Sequence, residues 1–160
     1  MKKRTLRLVR GGLIAALYVV LTLVSAAFGL SSGVIQLRLS EALCVLPFFM
    51  PEAVPGLFIG CLLANLITGC LPFDILFGSI ATLLGAIGAR LLGRYRPLVP
   101  LPTILANAAI IPPVLMYVYG VPDTYPFLLL TVTAGEVLST YLFGLPLLYI
   151  LEKRCKGMFT

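Results

Sequence analysis

Histidine is absent from this sequence. That removes histidine-type zinc sites, Ser–His and Cys–His nucleophile pairs, and the commonest general base. Charge is scarce too, at 11% of residues against about 25% in a soluble domain. Only six residues are acidic. The four cysteines show no CxxC spacing, and three lie in apolar runs where a thiol packs as a small hydrophobe. HExxH does not occur, and the GxSxG string at Gly29–Gly33 has no histidine anywhere in the sequence to activate its serine. The acids Glu41, Asp74 and Glu136 are scattered over separate apolar segments. An intramembrane enzyme therefore lacks an activated nucleophile or a metal, and no cofactor is expected.

What fills the chain is hydrophobic, 60% of 160 residues with a mean hydropathy of +1.08. A helix needs roughly 20 residues to cross the hydrocarbon core. The pattern predicts an all-α membrane protein of one domain, a six-transmembrane-helix bundle over about 9–28, 41–50, 53–68, 73–92, 101–119 and 125–151. The second helix is short for a full span. Val9–Phe28 is too long for a signal peptide, although Ser25-Ala26-Ala27 weakly resembles a cleavage site. The apolar connection Leu30–Leu39 opens on the turn signal Ser31-Ser32-Gly33 and is expected to fold back as a partly re-entrant cap between helices 1 and 2.

Apart from Arg38, positive charge falls in three places: Lys2 to Arg10, Arg90 to Arg96, and Lys153 to Lys156. An even number of spans places all three on one side. The positive-inside rule makes that side, and both termini, cytoplasmic. The clusters thus read as topology rather than as nucleic-acid binding.

The polar residues inside the apolar runs carry the functional argument, because such groups usually line a pocket or pathway. Gln36, Arg38 and Glu41 stand within six residues. Ser40 reads as an N-cap with Glu41 in the first turn, so Glu41 is either a capping charge, a partner for Arg38, or a site residue. Asn65 and Asp74 flank an outer turn, and Asp74 begins a helix. Asn107 precedes Pro112-Pro113, which should kink its helix and free carbonyls. Glu136 lies about 11 residues from the outer end of the last helix, on the order of 17 Å deep, and has no such cheap explanation. Small residues recur four apart on the first helix, Gly11 with Ala15 and Gly12 with Ala16. They serve either packing inside the bundle or docking of a separate membrane subunit.

Three runs in order, IQLRLSEAL at Ile35–Leu43, PFFMPEAVPGLFIGCLLAN at Pro47–Asn65 and FDILFGSIATLLGA at Phe73–Ala86, resemble the queuosine-precursor transporter family of QueT type. Its members are substrate-binding S-components of energy-coupling factor (ECF) transporters. The resemblance implies a six-helix bundle in a bacterial cell membrane that binds a 7-deazaguanine such as 7-aminomethyl-7-deazaguanine. It also implies a transmembrane coupling subunit, two cytoplasmic ATPases, and docking through the small face of helix 1; Gly11 and Gly12 stand where alanines are usual.

A deazaguanine fits these residue types. Its N–H edge suits a carboxylate, Glu41, Asp74 or Glu136. Its carbonyl suits an amide, Gln36, Asn65 or Asn107. Its ring suits an aromatic wall, Phe48, Tyr117 or Tyr141. Glu136 is the favoured pocket acid, and Arg38 is expected to hold Glu41 or Asp74 in place. The alternatives are an S-component for another vitamin or nucleobase, and a ligand-free scaffold subunit.

Overall fold

The computed structural model describes residues 3–30, 36–92 and 95–154, and every regular element among them is helical. Helix α1 runs Lys3–Ala27. A 3₁₀-helix, Leu39–Phe48, leads back to the first end of the bundle. Helices α2 (Ala53–Ile67), α3 (Pro72–Leu91) and α4 (Leu101–Tyr117) follow, with a short 3₁₀ turn at Arg96–Leu98. The last helical run is continuous: α5 (Tyr125–Val137), a π segment (Leu138–Gly144) and α6 (Leu145–Arg154).

Local chemistry sets these boundaries. Pro72, Pro102 and Pro126 sit in the first turns of α3, α4 and α5, where a missing N–H costs nothing. Gly29, Gly69 and Gly120 follow α1, α2 and α4 with positive φ, the left-handed conformation that ends a helix.

Four helical runs are long and apolar enough to cross a membrane: Lys3–Ala27, Pro72–Leu91, Arg96–Tyr117 and Tyr125–Arg154. The other two are shorter. At about 1.5 Å per residue α2 reaches roughly 22 Å, and at about 2.0 Å per residue the 3₁₀-helix reaches roughly 20 Å, both short of a hydrocarbon core of about 30 Å. Of the six helices expected from hydropathy, with the second already short for a full span, four are long and apolar enough to cross and two are shorter. The expected re-entrant cap lies partly outside the described residues.

Large apolar side chains point outward all round the bundle, among them Leu8, Leu91, Leu130 and Leu142. In water such a surface would be a liability; against lipid tails it is the ordinary exterior of a membrane protein. The interior is held by close helix approaches. A Cβ on Gly56 would stand 2.7 Å from the Gly11 carbonyl oxygen, and one on Gly60 would stand 2.8 Å from the Tyr18 Cβ. Gly85 and Gly88 admit Thr103 and Pro102 in the same way, so α3 and α4 nearly touch. These approaches replace hydrophobic driving force with dispersion contacts, as lipid requires.

The two irregular helices pack on each other. A Cβ on Gly144 of the π segment would meet the Ala42 carbonyl oxygen of the 3₁₀-helix at 3.2 Å. Ser139 Oγ in the π segment accepts the Arg38 backbone N–H at 3.1 Å. Ser40 is not an N-cap: no side chain caps the 3₁₀-helix, and the buried Ser40 hydroxyl accepts from Thr22 Oγ1 at 2.9 Å. Pro47 lies inside this 3₁₀-helix, near its end, and its missing N–H leaves one rung of the ladder unmade. In α4, by contrast, Pro112 and Pro113 lie inside one helix that continues to Tyr117.

The basic clusters meet at one end. Arg10 pairs with Glu52 at 3.4 Å, Arg96 with Glu152, and Arg90 Nη1 donates to the Pro47 carbonyl at 3.0 Å. The opposite end holds the cavity.

Candidate functional site

A cavity of about 420 Å³ opens at the end of the bundle away from the basic clusters. That lies within the usual range for small-ligand sites, about 300–1,000 Å³. The C-terminal turns of α1, α2 and α4, the start of α3 and the segment before the 3₁₀-helix build its wall. Gln36, Arg38, Asn65 and Asp74 supply its polar groups, with Thr22 and Thr68; Ile111, Leu115 and Val121 supply apolar surface.

Each polar side chain is placed by a specific contact. Gln36 and Arg38 are held against α5 by a missing side chain: a Cβ on Gly135 would stand 2.2 Å from the Gln36 carbonyl oxygen. Two backbone bonds fix the segment further, Arg38 N–H to Ser139 Oγ and Leu39 N–H to Ser25 Oγ at 3.0 Å. The Arg38 guanidinium has no ion-pair partner within 4 Å among the described residues, although Glu41, Asp74 and Glu136 are within its electrostatic reach.

Asn65 is 2% exposed and donates to Cys61 Sγ at 3.6 Å. Its amide fits because Gly78 is opposite: a Cβ there would lie 3.0 Å from Asn65 Nδ2 and 3.8 Å from Asp74 Oδ1. Asp74, in the first turn of α3, gains from the helix dipole. Its Oδ2 accepts the Tyr119 hydroxyl at 2.9 Å, while the same Tyr119 oxygen accepts the Leu71 N–H at 3.3 Å. Burial pushes the Tyr119 phenol up to about 12; the Leu71 amide opposes this, and Asp74 adds to it.

The other two acids are elsewhere. Glu41 is 2% exposed, and its oxygens receive the Tyr18 hydroxyl and the Cys44 thiol. It stands behind the cavity wall with its acceptors engaged. Glu136 does not line the cavity, and its Oε2 is buried with no hydrogen-bond partner among the described residues. Asn107 turns back to the Thr103 carbonyl at 3.1 Å. Tyr117 is 82% exposed at the end of α4. Tyr141 donates to the Pro97 carbonyl at the basic end. Phe48 packs edge-on against Phe49. None of the three aromatic walls read from sequence faces the cavity; Tyr119, a loop residue, is the aromatic that does.

Tyr119, Thr22 and Gly135 were not singled out by sequence reasoning. Gly135 immediately precedes Glu136, and a glycine inside a long apolar helix is a signal of close approach. Tyr119 and Thr22 carry no such signal. The helix 1 stripe divides. Gly11 and Ala15 pack against Gly56 and Gly60, while Gly12 and Ala16 face outward, with nothing within 4 Å of a Cβ placed on Gly12.

A family model described as QueT transporter matches residues 8–153. Over 96 residues the chain is 32% identical to the queuosine precursor transporter QueT of Lactococcus lactis subsp. cremoris. That match covers 59% of this chain and 56% of the relative, so it spans little more than half the relative's length. No solved structure matches. The chain belongs to the QueT transporter family.

Proposed function

We propose that this chain is the substrate-binding membrane subunit of an energy-coupling factor transporter that takes up a queuosine precursor, 7-aminomethyl-7-deazaguanine. The observation that carries the reading is the cavity itself. It brings a carboxylate, a guanidinium and two amides into one chamber, and the guanidinium has no counter-ion within 4 Å among the described residues. A scaffold would pair its buried polar groups with one another, because an unpaired charge is costly.

Asp74 then accepts the N–H fork of the pyrimidine edge, with Tyr119 holding one oxygen in place. Arg38, Asn65 and Gln36 offer donors to the ring carbonyl. Ile111 and Leu115 flank the ring. Glu41, Asn107 and Glu136 stand behind this layer: Glu41 balances the charge of Arg38, and Asn107 bonds the Thr103 carbonyl within α4. Tyr117 and Tyr141 take no part.

The whole chain forms one membrane domain with both termini in the bacterial cytoplasm, since the basic clusters share one end. Energy comes from two ATPases acting through a coupling subunit that docks on the outward Gly12–Ala16 face, a close-approach surface left unused by the bundle. The chain itself performs no chemistry.

The test is a calorimetric titration of the purified protein with 7-aminomethyl-7-deazaguanine, guanine, riboflavin, thiamin and biotin. The deazaguanine should bind most tightly. Asp74→Asn should weaken it roughly 30-fold or more, the lower bound for losing one partner of a buried charged hydrogen bond. Preference for a vitamin, or wild-type affinity in a folded Asp74→Asn protein, would overturn the reading.

A further inference from the structure

Beside the main cavity lies a second chamber of about 140 Å³. The two share Gln36, Leu115 and Val121 in their walls, so they adjoin. The side chamber continues with Phe127, Leu128 and Thr131 of α5 and reaches Asp123 in the loop between α4 and α5. It is mostly apolar, and Asp123 is the only charged residue in its wall among the described residues. Asp123 has no ion pair within 4 Å among the described residues.

Charge therefore differs along the joined space. Arg38 faces the main cavity and is absent from the side chamber. A ligand with a carbonyl at one end and an ammonium at the other is oriented by this difference. Its carbonyl is drawn toward Arg38, and its ammonium is driven from Arg38 toward the opposite charge. Asp74 cannot serve both ends of such a ligand: one of its oxygens is already engaged by Tyr119, and its remaining acceptor capacity matches the fork of a guanine-like edge.

We propose that the side chamber is a distinct subsite for the substituent on the deazaguanine ring, and that Asp123 selects ligands whose substituent carries a positive charge. This rests on the reading of the main cavity as a 7-deazaguanine site. The apolar walls accept the methylene and exclude water, and Asp123 meets the ammonium at the outer rim. Because Asp123 is exposed, its contribution is that of a solvent-screened pair. It sets preference between ligands more than total affinity.

The experiment compares wild type, Asp123→Asn, Asp123→Glu and Thr131→Phe by calorimetry. The ligands are 7-aminomethyl-7-deazaguanine, the neutral 7-cyano-7-deazaguanine, and unsubstituted 7-deazaguanine. Asp123→Asn should weaken the aminomethyl compound roughly three- to tenfold, the scale of a partly screened ion pair, and leave the two neutral compounds within twofold. Asp123→Glu should restore the preference. Thr131→Phe fills the chamber, so it should weaken both substituted compounds and spare the unsubstituted one. If Asp123→Asn weakens all three alike or none, the assignment of Asp123 fails. If Thr131→Phe spares the substituted compounds, the chamber is not their subsite. Wild type binding none of the three overturns the deazaguanine reading, and this assignment with it, a result distinct from the other two.

Discussion

Gly135→Ala tests whether backbone contact, rather than side-chain chemistry, positions the donors of the site. The added Cβ would stand 2.2 Å from the Gln36 carbonyl oxygen and 3.2 Å from its carbonyl carbon. Ordinary contact begins near 3.4 Å, so the Gln36 segment must withdraw by about 1.2 Å. The obstacle is main chain, so no side chain can rotate out of the way. Overpacking of this kind costs about 1–3 kcal/mol. The withdrawal also pulls Arg38 N–H from Ser139 Oγ, now 3.1 Å, beyond hydrogen-bonding distance. Gln36 and Arg38 both line the cavity, and Arg38 sits on the displaced segment. Losing one hydrogen bond from a charged donor costs about 1.5–3 kcal/mol, which is roughly 10- to 150-fold in affinity. We expect Gly135→Ala to lower affinity for 7-aminomethyl-7-deazaguanine by that factor and to lower the thermal midpoint of the detergent-solubilised protein. Gly12→Ala is the control, since its Cβ meets nothing within 4 Å. Wild-type affinity and midpoint in Gly135→Ala would refute the placement of the Gln36–Arg38 segment, and with it the geometry of the cavity.

Cys70 lines the cavity, whereas Cys44 and Cys61 are buried; with Cys155 replaced by serine, a maleimide should label Cys70 alone, and saturating deazaguanine should slow that labelling, so labelling unaffected by ligand would place the site elsewhere. Gly60→Ala should destabilise by about 1–3 kcal/mol, because the new Cβ meets Tyr18 and Ala15 at 2.8 and 3.0 Å; Gly12→Leu should instead leave stability and ligand binding intact and abolish co-purification with the coupling subunit, and normal assembly would count against the outward face as the docking surface. Tyr119 has a raised folded-state pKa, so the stabilisation from its neutral phenol is complete below about 10, the ordinary value, and is lost as pH rises through about 12. Phenolate absorbance at pH 11 should therefore be nearly equal in wild type and Tyr119→Phe; a clear excess in wild type would mean that Tyr119 ionises normally and does not hold Asp74.

Hydropathy made the helices legible because each apolar run is bounded by Pro, Gly or charge, the same features that end the helices in space. It did not reveal that Leu39–Phe48 is 3₁₀ or that Leu138–Gly144 is π. Both carry the same residue types as an α-helix, and their geometry follows from packing on each other around Ser139, Ala42 and Gly144. Full spans could not be counted from hydropathy alone for the same reason: the two short helices are as apolar as the long ones, and only their length in the fold distinguishes them.

The site was legible in part, and the division has a physical cause. Gln36, Arg38, Asn65 and Asp74 stand out because polar groups in apolar sequence are expensive, and these four of the seven residues chosen on that ground line the cavity. The same expense is met in another way at Glu41, where Tyr18 and Cys44 supply donors one helical face away. It is met again at Asn107, where the backbone carbonyl one turn back does so. Sequence shows the cost of burying each group but not which neighbour offsets it, since Tyr18 and Glu41 are 23 positions apart. Glu136 is the exception among these acids and amides, with a buried oxygen that no donor among the described residues meets. It stands beside Gly135, whose missing side chain seats Gln36, and two turns of the chain's most irregular helix begin just after it. The unsatisfied oxygen thus belongs to the residue next to the contact that positions the cavity wall. The π segment meets the cavity wall through one bond, from the Arg38 backbone N–H to Ser139 Oγ.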